Sequence, residues 1–246
     1  MSFSAQNSLL SSNFSFIPKE FTLQNYKSVL FERPILQWFL TSMKLSIATL
    51  ALSLSVAIPA AYAFSRFRFT GRKGILYILL LLNAYPTVLS MFAIYRIFKP
   101  LGLIDSRIGL IIIYTGTMAI FGLWNMKGYF DTIPKEIEES AKIDGATNFQ
   151  IIRKIVLPLA KPSIIVTSIL ILIYVWNEYI YATTFMTGAD NYTLAAGLYN
   201  LQATETSGSW PVFAAASLII SMPILIIFLL AQKHMVSGLT VGGLKG

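Results

Sequence analysis

Side chains able to do covalent or metal chemistry are scarce in this 246-residue chain. Cysteine is absent, which excludes thiolate nucleophiles, thiolate zinc sites and disulfide frameworks. The single histidine, His234, stands beside Lys233 with no clustered acid and reads as an interfacial residue. No GxxxxGK followed by Ser or Thr is present, and the glycines of GLTVGGLKG close the chain with no helix after them, so no nucleotide site is expected. Of the 11 acids, five (Asp131, Glu136, Glu138, Glu139, Asp144) fall within 127–161. Another, Glu178 in IYVWNEYIYA next to Asn177, lies inside an apolar run, where a carboxylate is a functional candidate by default. Its plainer reading is a helix-lining group near the outer boundary, paired with a neighbour such as Lys44. A proton relay would need a second buried acid or a histidine, and none accompanies it.

The acid-rich stretch is sharply organised. It reads KGYFDTIPKEIEESAKIDGATNFQIIRKIVLPLAKP. Pro134 suits the first turn of a helix, where a missing N–H costs nothing. Glu136, Glu138 and Glu139 follow at the positive end of the helix dipole. Asp144-Gly145 supplies a stop and a turn. Thr147 with Gln150 then makes a capping-box pair for a second helix. Phe149, Ile152, Ile155 and Val156 give that helix an apolar face, and Pro158 is expected to end it. Such a hairpin either lies on lipid headgroups or protrudes as a knob for a protein partner; three glutamates in its first helix favour a protein socket over anionic lipid.

What must hold this loop is set by composition. Hydrophobic residues make up 55% of the chain and charged residues only 12%, with a mean hydropathy of +0.66. That excludes a disordered chain and a typical water-soluble globule. A bilayer core needs about 20 mainly apolar helical residues, and five stretches qualify: 37–64, 75–98, 108–126, 162–185 and 211–231. Pro59, Pro86 and Pro223 lie inside them and should kink them. The net charge of +8 marks orientation, not nucleic acid. Arg66, Arg68, Arg72 and Lys73 follow the first span, the third is followed by Lys127, Lys135, Lys142, Arg153, Lys154 and Lys161, and Lys233 and Lys245 lie in the tail, whereas 186–210 has no Lys or Arg. The positive-inside rule therefore puts 65–74, 127–161 and the tail 232–246 in the cytoplasm, and 1–36, 99–107 and 186–210 outside. Segment 1–36 carries neither a signal peptide nor a span, so a further span ahead of it is expected.

The motif Glu139-Ser140-Ala141, then three residues, then Gly145, inside EESAKIDGATNFQIIRKIVLP, resembles the EAA loop of ABC-importer permeases. Ser140 departs from the usual alanine, a small-for-small change. SMKLSIATL and AAYAFSRFRFTGRK resemble the early spans of the carbohydrate-uptake class, and LLAQKHMVSGLTVGGLKG resembles the end of its maltose/maltodextrin branch. The resemblance runs from about residue 20 to the end.

It implies an all-α, multi-pass permease of the bacterial plasma membrane, with the importer type I fold and a cytoplasmic C-terminus. The function it implies is non-catalytic passage of maltose- or maltodextrin-type sugars, with another sugar or glycerol phosphate as the alternative. Implied partners are a second permease, two ATP-binding subunits that hold the ATP and magnesium, and an extracytoplasmic solute-binding protein. No cofactor is expected on this chain. Glu139, Ser140, Ala141, Asp144 and Gly145 would then couple to the ATPase. Gly238, Thr240, Gly242 and Gly243 would reach the interface between ATPase subunits, although they could equally form an ordinary chain end. Tyr199, Asn200, Gln202 and Trp210, in a loop that could be a mere connector, would face the binding protein and its sugar. A secondary transporter or channel should show repeated halves, broken helices or coupled intramembrane charges, and the sequence displays none.

Overall fold

The computed structural model describes residues 1–5, 20–204 and 210–242. Helices dominate, and the one β feature among the described residues is an isolated bridge between Ser4 and Phe21. Among the described residues three helices are long and apolar enough to cross a bilayer: Ile35–Arg66, Arg107–Thr132 and Trp210–Leu230. Two bent pairs, Arg72–Ala84 with Thr87–Phe98 and Asn148–Leu159 with Lys161–Asn177, would bring the number to five if each pair is one span. The expected spans therefore recur, with corrections. The stretch 75–98 is broken, not kinked: Tyr85, held extended at φ −68°, ψ 135° ahead of Pro86, separates two helices. The stretch 162–185 is likewise divided, into Lys161–Asn177 and Ile180–Phe185. The last helix does not stop at 231. It runs from Trp210 to Gly242, because nothing between Gln232 and Ser237 opposes helix.

The chain forms two units. The first comprises Met1–Ile47, Val88–Ile111 and Tyr174–Ile226. Its core gathers Trp38, Trp176, Leu194, Leu201, Ala215 and Ile220. The Trp176 indole donates to the Ile220 carbonyl at 3.1 Å, and the Phe39 ring meets Trp176 edge-on at 5.7 Å. Gly197 lies flat against Trp38, so a Cβ there would run into the indole ring. The segment ahead of the first span, expected to be external, holds a short helix Gln24–Lys27 continued by a π turn Ser28–Glu32. The Asn25 amide ties this piece to the carbonyls of Ser2 and Ser4, both at 2.9 Å.

The second unit comprises Ala48–Thr87, Ile112–Ile173 and Ile227–Gly246. Its core is Ala61, Tyr62, Met126, Phe130, Ile133, Ile151, Val156 and Ala160. Helices approach closely here through small residues: a Cβ on Gly122 would sit 3.0 Å from that of Ala57. The Asn125 amide donates to the buried Thr167 hydroxyl at 2.8 Å, satisfying that polar group.

Candidate functional site

The acid-rich loop lies in the second unit and begins where helix Arg107–Thr132 ends. Pro134 serves as the N-cap, one position ahead of the expected first turn, and helix Lys135–Ile143 follows. That helix ends in a full Schellman motif. Gly145 takes φ +84°, its N–H reaches the Lys142 carbonyl at 3.0 Å, and the Ala146 N–H reaches Ala141 at 2.9 Å. The left-handed backbone makes glycine the natural residue there. The expected capping box is present in both directions: Gln150 N–H to Thr147 Oγ1 at 3.3 Å and Thr147 N–H to Gln150 Oε1 at 2.8 Å.

The second loop helix departs from expectation. It starts as Asn148–Ile151, widens into a π turn at Ile152–Val156 and closes with Leu157–Leu159. Pro158 is its penultimate residue, and the helix ends at Leu159, one residue past the expected stop. Proline lacks the N–H for an ordinary turn and crowds the carbonyl four residues back, and the π turn immediately before it spreads that turn. The extra residue per turn also rotates the apolar face. Ile151, Val156 and Ala160 are buried, while Phe149, expected inside, is 69% exposed.

The loop helix is held by a charge the motif does not contain. Glu138, the residue before the motif glutamate, is buried, whereas Glu139, Ser140, Asp144 and Gly145 are exposed and Ala141 is half-buried. One Glu138 oxygen accepts from Arg66 Nε at 2.6 Å, with both side chains less than a tenth exposed. The other accepts from the Tyr62 hydroxyl at 2.8 Å. Arg66 also donates through Nη2 to the Ile133 carbonyl at 3.0 Å and through Nη1 to Ser65 Oγ at 3.1 Å. Ser65 in turn donates to Asp131 at 2.6 Å, and Lys127 holds the other Asp131 oxygen at 2.6 Å. The last turn of helix Ile35–Arg66, the end of helix Arg107–Thr132 and the loop helix thus share one hydrogen-bonded network. With the charge satisfied inside, the outer surface of the loop carries Ile137, Phe149 and the 87% exposed Ile143 beside Glu139. Large apolar side chains exposed at a polar surface suit a protein contact.

The remaining candidates lie elsewhere. Glu178 is buried, and its oxygens accept from the backbone N–H groups of Tyr181 at 2.9 Å and Ala182 at 3.2 Å. It therefore caps helix Ile180–Phe185 just after Asn177 ends the preceding helix. The loop 186–210 is not a bare connector. It contains helix Leu194–Thr204, whose first N–H groups are met by Ser42 Oγ at 2.9 Å (Leu194) and Thr193 Oγ1 at 3.1 Å (Ala196). On that helix Tyr199 is 46% exposed and stacks on Tyr179 at 5.4 Å, Asn200 donates to the Ala196 carbonyl, and Gln202 is exposed. Trp210 opens the last helix, its ring edge-on to Phe213 at 5.8 Å. Gly238, Thr240 and Gly242 fall on the final turns of that helix, and Gly243 lies outside the described residues. Among the described residues, Glu139, Ser140 and Ala141 share one helix with the Asp144-Gly145 turn that ends it, and Tyr199, Asn200 and Gln202 share helix Leu194–Thr204. Tyr62, Ser65 and Arg66, which anchor the loop helix, were legible in sequence only as the basic end of a span.

Comparison with known proteins shows the family of the chain. The family described as "Binding-protein-dependent transport system inner membrane component" matches residues 35–241. The galactooligosaccharides transport system permease protein GanQ of Bacillus subtilis (strain 168) is 41% identical over 248 residues, 100% of this chain and 87% of GanQ. The maltose/maltodextrin transport system permease protein MalG of Vibrio vulnificus (strain YJ016) is 38% identical over 219 residues, 87% of this chain and 73% of MalG. In three dimensions, a chain of a bacterial ABC transporter that imports the acidic polysaccharide alginate superposes with a TM-score of 0.81 at 24% identity, covering 94% of this chain and 86% of that one. The chain therefore belongs to the binding-protein-dependent transport system inner membrane components and has the fold of an ABC-importer permease.

Proposed function

We propose that this chain is a membrane-spanning, non-catalytic permease subunit of an ATP-driven oligosaccharide importer, and that helix Lys135–Ile143 is where a cytoplasmic ATPase subunit engages it. The observation that carries the reading is a rigidly capped helix, tied to the membrane helices through buried Glu138, that presents Glu139, Ile143 and Phe149 outward. A helix fixed in this way moves as a unit when pulled. Ser140 and Ala141 keep the contact low, and the Asp144-Gly145 turn brings the chain back without bulk. ATP and magnesium are held by the ATPase subunits, and this chain takes no cofactor.

A second permease subunit and an extracytoplasmic solute-binding protein complete the machine; Tyr199, Asn200, Gln202 and Trp210 lie in the segment oriented towards that protein. The C-terminal turns at Gly238–Gly242 lie on the cytoplasmic side, where they extend towards the ATPase pair. Maltodextrins are the first substrate reading, supported by the carboxyl-terminal motif and the MalG likeness. Galacto-oligosaccharides are the second, favoured by the higher identity to GanQ across the whole chain. Proteoliposomes holding this chain, its sister permease and the ATPase, with the binding protein added, should accumulate one of these labelled sugars only when ATP is present. Accumulation without the ATPase or the binding protein would overturn the proposal.

A further inference from the structure

We propose that Arg66 and Glu138 form the strut that carries movement of the loop helix into the membrane helix Ile35–Arg66, making Arg66 a positioning residue of the transport cycle. The inference rests on the reading that an ATPase engages helix Lys135–Ile143. That helix is continuous in sequence with helix Arg107–Thr132 on one side and with Asn148–Leu159 on the other, so a pull reaches both through the backbone. Helix Ile35–Arg66 has no such covalent route. Sixty-seven residues lie between Arg66 and Pro134, and the charged grip on this helix is the Arg66–Glu138 pair.

The geometry suits a load-bearing link. Glu138 is the buried residue of an otherwise exposed or half-buried helix, and both of its oxygens are engaged by one helix, through Arg66 Nε and the Tyr62 hydroxyl. Arg66 sits at the very end of its helix and is held from three directions: by Glu138, by the Ile133 carbonyl and by Ser65, which is itself locked to Asp131. A planar guanidinium gripped in this way resists both sliding and rotation, which a single flexible ammonium would not. Neither partner faces the surface carrying Glu139, Ile143 and Phe149, so the strut and the docking face are separable by mutation.

The absence of cysteine permits a direct test. The assembled transporter, built with cysteine-free partners, is reconstituted with Glu138→Gln, with Arg66→Gln, and with the pair Arg66→Cys and Glu138→Cys. Two quantities are read: ATPase retained on affinity purification through this chain, and sugar moved per ATP hydrolysed. The variants should retain the ATPase as the parent does, while sugar per ATP falls about tenfold or more, the scale of one lost charge-assisted hydrogen bond. Bridging the cysteine pair with a short bifunctional thiol reagent should recover most of the loss, and reductive release of the bridge should abolish the recovery. Where a charge variant cannot be recovered from the membrane, Tyr62→Phe, which keeps the ion pair and removes one bond, should give a smaller loss of the same kind. Unchanged sugar per ATP in Glu138→Gln, or a bridged pair no better than the unbridged one, would overturn the strut. Failure of the parent chain to retain the ATPase would instead remove the underlying functional reading.

Discussion

Replacing Gly145 separates a backbone cost from a docking cost. Its φ of +84° closes the Schellman turn, and a Cβ built there meets nothing within 4 Å. An L-residue held in that conformation costs about 1–2 kcal/mol, and the open space adds no packing penalty to it. Gly145→Ala and Gly145→Trp should therefore lower the stability of the purified chain by similar amounts, read as the midpoint of thermal unfolding in detergent. Gly145→Asn should cost less, since asparagine tolerates the left-handed region. At about tenfold per 1.4 kcal/mol, the alanine variant loses one order of magnitude in the population of the native turn and keeps measurable transport. Tryptophan places an indole where the ATPase surface is expected, so ATP-driven uptake in proteoliposomes should be abolished in Gly145→Trp and only reduced in Gly145→Ala. Full uptake by Gly145→Trp, or an asparagine variant less stable than the alanine one, would refute the reasoning.

Other perturbations have equally definite outcomes. Gly197→Ala drives a methyl group into the Trp38 indole and should lower stability by about 1–3 kcal/mol, visible as a lower unfolding midpoint, whereas Gly145→Asn leaves that region untouched. Thr147→Ala removes one half of the capping box and should cost about 1 kcal/mol, with faster amide exchange confined to Asn148–Ile151. Glu178→Gln keeps an acceptor for the capped helix and removes the carboxylate. Because capping is the role the geometry gives this residue, uptake by Glu178→Gln should match the parent and show the same pH profile; a flattened profile would indicate proton coupling.

Local signals made the loop legible and long-range contacts hid its anchor. Thr147 and Gln150, and the Asp144-Gly145 turn, act within a few residues of themselves, and each is found where its chemistry requires. The identity of the buried acid was not available in that way. Glu138 and Glu139 are adjacent and alike, and only Arg66 and Tyr62, more than seventy residues earlier, decide between them. Phe149 was misplaced because the π turn at Ile152–Val156 shifts the apolar face away from a regular helical period. Pro86 signalled a disturbance but not its size: the extended backbone of Tyr85 turns a kink into a break. The five apolar stretches were readable because bilayer thickness imposes its length on sequence.

Chemical cross-linking from the loop helix measures the central claim most directly. With no native cysteine, Ile143→Cys provides a unique thiol at an 87% exposed position on that helix, and Leu101→Cys provides one at a 64% exposed position in the segment assigned to the opposite side of the membrane. After labelling with a short thiol-anchored photocross-linker in the assembled transporter, Ile143→Cys should give a covalent product with the ATPase subunit and Leu101→Cys should give none. Equal capture from both positions, or no capture from Ile143→Cys in a complex that still hydrolyses ATP and moves sugar, would contradict the account.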